Sequence, residues 1–385
     1  MAEILKRLSH EKINEIRSDT LLNKLIYCTL FTSKYIRMIK KISFSLFLFI
    51  HTNLIIAQTK MTNPTPNYTI TGYVDGYFGY DFTKSINQSN NYTSFTHVKN
   101  KVALGMASIK VDKSMGKFEG TIDLGFGKRA EEFSYNDKGF LSLIKQAFLS
   151  YSVSDRLKIT AGKWGTHVGY ELLDAPLNRT YSMSYGFSYG PFFHTGVKAD
   201  YALSGKSSLM IGIANPSDFV STSSTSKVII AQFSTKLFKD ITSVYVNFLG
   251  GNTGGDHNFN QFDVVINNAV STKWAINYNG TLYATSNNGK KSAWKSNAVY
   301  INYDYSSKIG LTYRSEYFDD KKALTAVPTG ASIFANTLSL NYKYKKCILL
   351  PEIRIDNAKT NIFYTSNGNP TGKKTSFVLA FIYKL

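Results

Sequence analysis

The chain has 385 residues, with 45 Lys and Arg against 26 Asp and Glu, which gives a formal net charge of +19. The basic residues are scattered rather than gathered in one helix or patch, so the charge does not indicate nucleic-acid binding. Tyr and Phe are abundant, at 26 each, whereas Leu, Ile and Ala are comparatively few. This composition favours strands, and without linkers or repeats in the sequence we expect one large unit.

An apolar segment near the amino terminus differs from the rest of the chain. The stretch MIKKISFSLFLFIHTNLIIAQ has a short cationic start, a largely apolar run and a small residue near its end. These features predict a secretory signal peptide at 38–57, with Met38 as the true start and Ala57 as the last residue removed. A transmembrane anchor is the alternative, but the polar sequence HTN interrupts a run that is already short for a span.

Removal of this segment changes the composition of the mature chain. Residues 1–37 would be a non-native upstream extension, and residues 58–67 a short N-terminal segment. The first 57 residues hold nine Lys and Arg and four Asp and Glu, so 36 basic and 22 acidic residues remain and the net charge is +14. Cys28 is lost with them and Cys347 is left alone, which excludes an internal disulfide.

From Tyr68 onward, segments of roughly 8 to 14 residues show hydrophobicity of period two, with no convincing amphipathic helix between them. This pattern predicts sixteen strands. They lie near 68–82, 101–112, 117–128, 143–153, 156–163, 192–203, 207–214, 228–238, 241–249, 260–270, 272–285, 293–305, 308–318, 333–345, 348–356 and 374–385.

The predicted connections alternate in length. Those after the even-numbered strands are very short, as at 154–155, 204–206, 239–240 and 306–307. The long ones follow the odd-numbered strands, at 83–100, 129–142, 164–191, 215–227, 250–259, 286–292, 319–332 and 357–373. A soluble sandwich has no reason to place every long loop at one end, whereas outer-membrane barrels have short periplasmic turns and long external loops. Pro351 does not fit, since a closed barrel would need a bulge there or the strand assignment is wrong.

The two faces of the predicted strands differ in polarity. One face is apolar, for example at Val244, Val246 and Phe248, and the opposite face holds polar and charged residues such as Arg314 and Glu316. On most strands this second face contains charges, too many to bury in a core. The apolar face should therefore contact lipid and the polar face water. Residues 68–385 are predicted to form a transmembrane antiparallel β-barrel of about 16 strands, in a range of about 14 to 18, in a bacterial outer membrane.

The stretch from Gly162 to Tyr201 adds a family resemblance. In order, it contains Gly162-Lys163, a Gly-Tyr-Glu element at 169–171, an Asp-Ala-Pro turn at 174–176, an aromatic and glycine-rich run at 181–189, and a return at 190–196. This order resembles a segment of the OmpL-like family of outer-membrane β-barrel porins, and the resemblance implies their fold and location. The terminal Leu385 departs from the phenylalanine common in such barrels, so Phe381 and Tyr383 are expected to serve as the assembly signal.

The longest predicted connection, 164–191, is the first candidate site. We expect it to fold into the lumen as a constriction, because long structured loops in wide barrels often plug them. Glu171, Asp174 and Arg179 would then offer both charge signs to a solute, beside Tyr181 and Tyr185. The alternative is an external loop packed on itself by its own tyrosines.

A second set of candidates is predicted to face the water-filled interior. Opposed acidic and basic ladders would orient a passing solute, and the alternative is that these charges simply pair across strands. The candidates are Lys158, His194, Lys198, Asp200, Arg314, Glu316, Glu352 and Arg354.

The sequence does not indicate a catalytic or metal site. The histidines of the mature chain are His97, His167, His194 and His257. Three of them lie in or near long loops, and adjacent Glu131 and Glu132 would point to opposite faces of a strand. The sequence shows no metal-ligand spacing, since Cys347 is alone and no two histidines lie within a helical turn. We therefore expect no enzyme activity, no metal and no cofactor.

Three functions remain open at this point. A passive or weakly selective porin for small hydrophilic solutes is favoured by the wide lumen that sixteen strands imply. A surface adhesin or receptor would use the long loops, and a barrel hydrolase is the third alternative. A measurement of conductance or solute flux would distinguish the porin from the other two functions. The expected partners are outer-membrane lipid and lipopolysaccharide, small hydrophilic solutes, the barrel-assembly machinery and further copies of the chain, but not nucleic acid.

Overall fold

The computed structural model describes residues 67–83, 85, 90–223, 226–252, 257–328 and 330–385. The predicted signal peptide and the upstream extension lie outside the described residues. Within the described part of the chain, no helix has both the length and the apolar character needed to cross a membrane.

Sixteen antiparallel strands close into one barrel. They are β1 (Asn67–Asp81), β2 (Lys101–Met115), β3 (Phe118–Phe126), β4 (Ile144–Ser152), β5 (Leu157–Gly165), β6 (Phe193–Ala202), β7 (Ser207–Ala214), β8 (Val228–Leu237), β9 (Thr242–Asn252), β10 (Asn258–Asn268), β11 (Trp274–Asn287), β12 (Lys290–Asp304), β13 (Ile309–Asp319), β14 (Ser332–Tyr344), β15 (Cys347–Ala358) and, after a separate hairpin of β16 (Phe363–Tyr364) and β17 (Pro370–Thr371), β18 (Lys373–Lys384). Strands adjacent in sequence pair with each other, and β1 pairs with β18 to close the ring. The predicted fold class is confirmed.

The connections differ between the two ends of the barrel. At one end the strands are joined by the short segments 116–117, 153–156, 203–206, 238–241, 269–273, 305–308 and 345–346. The opposite end, called the long-loop end here, includes the connections 127–143, 166–192, 320–331 and 359–372. Short helical turns lie in these connections, at Lys128–Phe133, Gly139–Leu143, Ala175–Leu177 and Tyr185–Ser188. In outer-membrane barrels the end with long loops faces the outside.

One predicted long connection, 286–292, is wrong. Strands β11 and β12 continue through most of it and are joined by a two-residue turn at Asn288 and Gly289. Both turn residues have positive φ, 49° and 77°, as a tight hairpin of the Asn-Gly type requires.

Side chains alternate between the two surfaces of the barrel, as the period of a strand dictates. On β13, Leu311 and Tyr313 are 39% and 40% exposed on the outer surface, whereas Thr312 and Arg314 are 1% and 0% exposed on the inner one. On the last strand Phe381 is likewise exposed on the outside. An apolar outer surface suits lipid, and closure of the ring leaves no unpaired strand edge in the hydrocarbon layer.

Two irregularities in the ladders redirect side chains. The pairing of β1 with β2 shifts between Asp75 and Gly76, and that of β3 with β4 shifts between Asp123 and Leu124. The second shift leaves Lys145 out of the ladder. Because a bulge lets one residue depart from strict alternation, the Lys145 side chain points inward, where it is 3% exposed.

Pro351 lies within β15, and neither ladder of this strand contains a bulge there. The expectation that Pro351 needs a bulge or a different strand assignment is therefore wrong. The ladder with β14 lapses between Ser339 and Tyr342 and then resumes in the same register. On the other edge, Pro351 pairs with Leu379 of β18. Proline has no N–H to donate to a neighbouring strand. The strand accommodates Pro351 because the hydrogen-bonded pairing with β14 is interrupted at this residue.

The outer surface yields a first prediction. Leu311→Arg places a charge on the lipid-facing surface, which should lower the free energy of unfolding; such a charge costs about 2–4 kcal/mol at the middle of a membrane and about 0–1 kcal/mol near its surfaces. The measurement is urea-dependent folding into lipid vesicles, with Leu311→Met as the matched control. Equal stability of the Arg and Met variants would contradict the lipid-facing assignment of β13.

Candidate functional site

The inner loop, residues 166–192, connects β5 to β6 and contacts the inner wall of the barrel. The buried carboxylate of Glu352, on β15, accepts hydrogen bonds from the main-chain N–H groups of Tyr181 (2.8 Å) and Ser182 (3.1 Å). Ser339 of the neighbouring strand donates its hydroxyl to the same carboxylate at 2.6 Å. The wall therefore supplies acceptors for loop N–H groups that are shielded from bulk water.

A second wall carboxylate, Glu316 on β13, binds the loop in the same way. It accepts the main-chain N–H groups of Tyr185 and Gly186, each at 2.8 Å, and the hydroxyl of Ser296 at 2.8 Å. Tyr185 and Gly186 begin a single helical turn, whose free N–H groups favour a negative charge. Replacing Gly186 by a residue with a Cβ would bring that atom within 2.6 Å of the Ser296 hydroxyl, so the glycine permits this close approach.

Arg314 and Glu171 form a buried ion pair between the wall and the inner loop. Arg314 Nη1 lies 2.6 Å from Glu171 Oε1, and the two side chains are 1% and 2% exposed. Arg314 also donates to the Ser182 carbonyl at 2.7 Å, and Glu171 accepts the Ser184 N–H at 2.8 Å. Each buried charge is thus neutralised and hydrogen-bonded, which a low-dielectric site requires.

Asp174 and Arg179, five positions apart in the inner loop, contact strands on opposite sides of the ring. Asp174 lies 2.6 Å from Lys145 on β4, and Arg179 lies 2.8 Å from Asp304 on β12. In the closed order of sixteen strands, β4 and β12 are eight positions apart. The inner loop is therefore bound to both sides of the lumen.

The two tyrosines predicted for this site are both buried. The Tyr181 hydroxyl donates to Asp75, and the guanidinium of Arg129 lies 4.7 Å from the centre of the Tyr181 ring. The Tyr185 ring stacks on Phe318 of β13, with ring centres 5.3 Å apart. Both rings therefore attach the loop to the wall and to the neighbouring long connection.

The predicted lumen-facing residues fall into two groups. Arg354 donates to the Met183 carbonyl at 2.6 Å and to Asp356 at 2.8 Å, so Arg354 joins the wall residues that hold the inner loop. The residues of the second group pair with charges of the wall itself. These pairs are Lys158 with Glu119 at 2.8 Å and Lys198 with Asp200 at 3.2 Å.

The histidines do not assemble a metal site in the described part of the chain. His194 is fully buried, with Nε2 3.1 Å from the Thr166 hydroxyl, and its ring centre lies 5.1 Å from that of His167. His97 pairs with Glu132 at 2.9 Å in an exposed position. Among the described residues no three His, Cys, Asp or Glu side chains are grouped so as to hold a metal ion.

Several residues that bind the loop are not among the candidates predicted from the sequence. Asp75 and Asp263 occupy inward positions of their strands, and Asp263 accepts the Gly169 N–H at 3.0 Å. Buried acidic residues at inward positions are the signal that would have identified both. Lys145 had no such signal, because regular alternation places it on the lipid side and only the bulge turns it inward.

Open space remains beside the inner loop. A cavity of about 450 Å³ lies between the loop and strands β8 to β10, and one of about 230 Å³ lies towards β4. Thr166, Leu172 and Leu177 line both, so the two spaces adjoin at these residues. A third cavity, of about 410 Å³, lies at the long-loop end beside Tyr189 and Tyr283.

A family comparison agrees with this geometry. The family described as "Putative beta-barrel porin-2, OmpL-like" matches residues 67–385, which include the whole barrel. The chain belongs to this porin family. The porin is an outer-membrane protein, and its activity is the diffusion of solutes through a β-barrel. Porins are channels rather than enzymes.

Solved structures share the fold of this porin. The outer-membrane channel DcaP of Acinetobacter baumannii has a TM-score of 0.57 at 13% identity, covering 85% of this chain and 99% of that one. OmpT of Vibrio cholerae, in a trimer form, has a TM-score of 0.59 at 11% identity, with coverage of 83% and 99%. The anion-selective porin from Comamonas acidovorans has a TM-score of 0.56 at 10% identity, with coverage of 83% and 100%. No curated protein is detectably similar in sequence.

Asp218 fastens the loop between β7 and β8 of the porin to the end of the inner loop. Its Oδ1 accepts the main-chain N–H groups of Phe192 (2.7 Å) and Phe193 (2.9 Å), and its Oδ2 accepts the Tyr135 hydroxyl at 3.2 Å. The backbone of Asp218 is left-handed, with φ of 64°, a conformation that Asp tolerates. Burial raises the pKa of this carboxyl to about 7, from an ordinary value of 3.8.

This raised pKa predicts how the attachment of the loop between β7 and β8 to the inner loop, called docking here, depends on pH. The folded pKa lies above the unfolded one, so docking is strongest below about pH 4 and weakens as pH rises towards about 7. Asp218→Asn keeps the Oδ1 acceptor and removes the buried charge, so docking should become independent of pH in this window. The measurement is amide hydrogen exchange of residues 215–223, corrected for intrinsic rates. Identical pH profiles for wild type and variant would contradict the prediction.

Proposed function

We propose that the inner loop narrows the lumen of this porin and so limits diffusion to small hydrophilic solutes. The observation that supports this most directly is the attachment of Asp174 to β4 and of Arg179 to β12, on opposite sides of the ring. A segment tied to both walls divides the wide opening of a sixteen-strand barrel. Solutes then pass beside the loop, along the cavities lined by Thr166, Leu172 and Leu177.

The charges of the inner loop bear on ion selectivity. Glu171 is paired with Arg314 and Asp174 with Lys145, so neither carboxylate is free to attract cations. Arg179 is likewise paired with Asp304. With these local charges balanced, the net charge of +14 on the predicted mature chain is the remaining electrostatic bias, and we propose a weak preference for anions.

The remaining partners are proposed on more general grounds. The apolar outer surface suits outer-membrane lipid and lipopolysaccharide, and a barrel of this kind requires the barrel-assembly machinery. A homo-oligomer is proposed as well, since OmpT, which shares the fold, is described in a trimer form.

Deletion of Leu172 to Ser188 tests the proposed constriction. The flanking strands β5 and β6 keep their own pairing, so the barrel should fold and its single-channel conductance should rise severalfold. The matched control removes Ser366 to Gly368, at the tip of the β16–β17 hairpin, and should conduct as the wild type does. An unchanged conductance in the Leu172–Ser188 deletion would place the inner loop outside the solute path and favour an adhesin or receptor.

A single substitution tests whether the buried pair holds the loop. Glu171→Gln leaves Arg314 without its partner, which should cost about 3–5 kcal/mol of loop attachment because the remaining charge is buried. Single-channel recordings should then show frequent transitions to a more open level. The control is Asp200→Asn, which breaks a partly exposed pair worth about 0–1 kcal/mol and should leave the recordings unchanged. Quiet, wild-type currents from Glu171→Gln would mean that the pair does not hold the loop.

A further inference from the structure

The cavity at the long-loop end of the porin is not filled by the surrounding side chains. Its volume is about 410 Å³, which lies within the range of roughly 300–1,000 Å³ typical of small-molecule sites. It is bounded by β9 to β12, by the inner loop at Tyr189 and Gly190, and by the connection that holds Asp218. The cavity lies at the long-loop end, the end that faces the outside in outer-membrane barrels.

A row of aromatic rings forms one wall of this cavity. Phe259 on β10 and Tyr283 on β11 are stacked at 20° with ring centres 5.6 Å apart, and Tyr283 and Trp294 on β12 are stacked at 9° and 5.7 Å. Trp294 contacts Phe318 on β13, whose ring stacks in turn on Tyr189 of the inner loop. The row therefore runs along the wall from β10 to the inner loop.

Polar groups without partners lie beside these rings. Gln261 is 2% exposed and lines the cavity, and its side-chain Nε2 has no hydrogen-bond partner in the described structure. The buried hydroxyl of Ser217, which also lines the cavity, is unpartnered too. Burying such groups unpaired is costly, so both point to a ligand that hydrogen-bonds with them.

The charge of the cavity restricts the ligand further. Among the described residues that line it, Asp218 is the only charged one, and its carboxylate is already bound to Phe192, Phe193 and Tyr135. An ionic solute would therefore find no counter-charge there. The lining suits an uncharged molecule that has both an apolar face and several hydroxyl groups.

We propose that this cavity is a binding subsite for a neutral saccharide in the pyranose form. The C–H groups of the sugar ring contact the aromatic row at Tyr283 and its neighbours, while its hydroxyl groups bond to Gln261 and Ser217. Binding there raises the local concentration of the sugar at the entrance to the narrowed lumen. The inference rests on the proposed function, since a subsite in the entrance serves transport only if solutes pass the inner loop.

The first experiment measures the ion current through single porins in a planar bilayer while sugar is added on the long-loop side. Glucose and maltose should reduce the current saturably, because a bound sugar occupies the entrance. Sorbitol, which is uncharged and similar in size but has no ring face, should have no saturable effect. Equal block by glucose and sorbitol would overturn the inference, because it would reflect crowding of the pore rather than a site.

Two variants and a matched control test the named residues. Gln261→Leu removes the amide donor and should raise the half-blocking maltose concentration roughly three- to tenfold. Tyr283→Leu removes one ring of the aromatic row and should raise this concentration by roughly the same factor. Tyr278→Leu is the control, since Tyr278 lies on the outer side of the same strand, bonded to Asn297, and its loss should leave the block unchanged. Wild-type block by both Gln261→Leu and Tyr283→Leu would overturn the inference.

A fluorescence titration separates failure of the site from failure of the pore. Trp294 lines the cavity, and its emission should shift saturably with maltose in detergent and lose this response in Trp294→Phe. Conduction without any sugar response in current or emission would overturn the subsite and leave the porin function intact. A saturable emission shift in a protein that passes no ions would support the subsite and overturn the proposed route past the inner loop.

Discussion

Hydrogen bonds from the inner loop's main-chain N–H groups to buried carboxylates of the barrel wall are the interaction on which the lumen depends. Glu316 and Glu352 each accept two such groups. A buried N–H group that loses its acceptor costs free energy, and a charged acceptor makes a stronger hydrogen bond than a neutral one. The wall carboxylates therefore favour the bound arrangement of the loop segment from Tyr181 to Gly186.

Those carboxylates are tolerated because the barrel separates two environments. The outer side of each strand is largely apolar, as lipid requires, whereas the inner side can hold charged groups that find hydrogen-bond partners. Arg314 and Arg354 meet this condition, through Glu171 and Asp356. The loop carboxylates Glu171 and Asp174 are paired in the same way, which is why the proposed selectivity rests on the net charge of the chain rather than on the loop.

The inner loop also divides the interior into two chemically different spaces. Towards β8 to β10 and β4 the loop borders cavities whose linings include Arg179, Lys145, Glu171 and Asp174. At the long-loop end it borders a cavity with an aromatic row, and among the described residues that line this cavity only Asp218 is charged. On the proposed route, neutral solutes and ions would meet different surfaces on the way in. A weakly ion-selective pore and a saccharide subsite are compatible in one molecule, because the two properties reside in different parts of the lumen.

The sequence by itself determined a barrel of about sixteen strands, its outward and inward faces and its membrane location. It could do so because alternation of period two and loop length are local properties that lipid and water sort directly. It also identified Glu171 and Arg314 as candidate residues. It did not determine that they pair, since they lie 143 positions apart and meet only through the path of the inner loop. Lys145 was missed because a bulge overrides the alternation. Which charges meet, and which rings line the cavity, depends on how the ring of strands closes around the loop, and only the tertiary structure decides that.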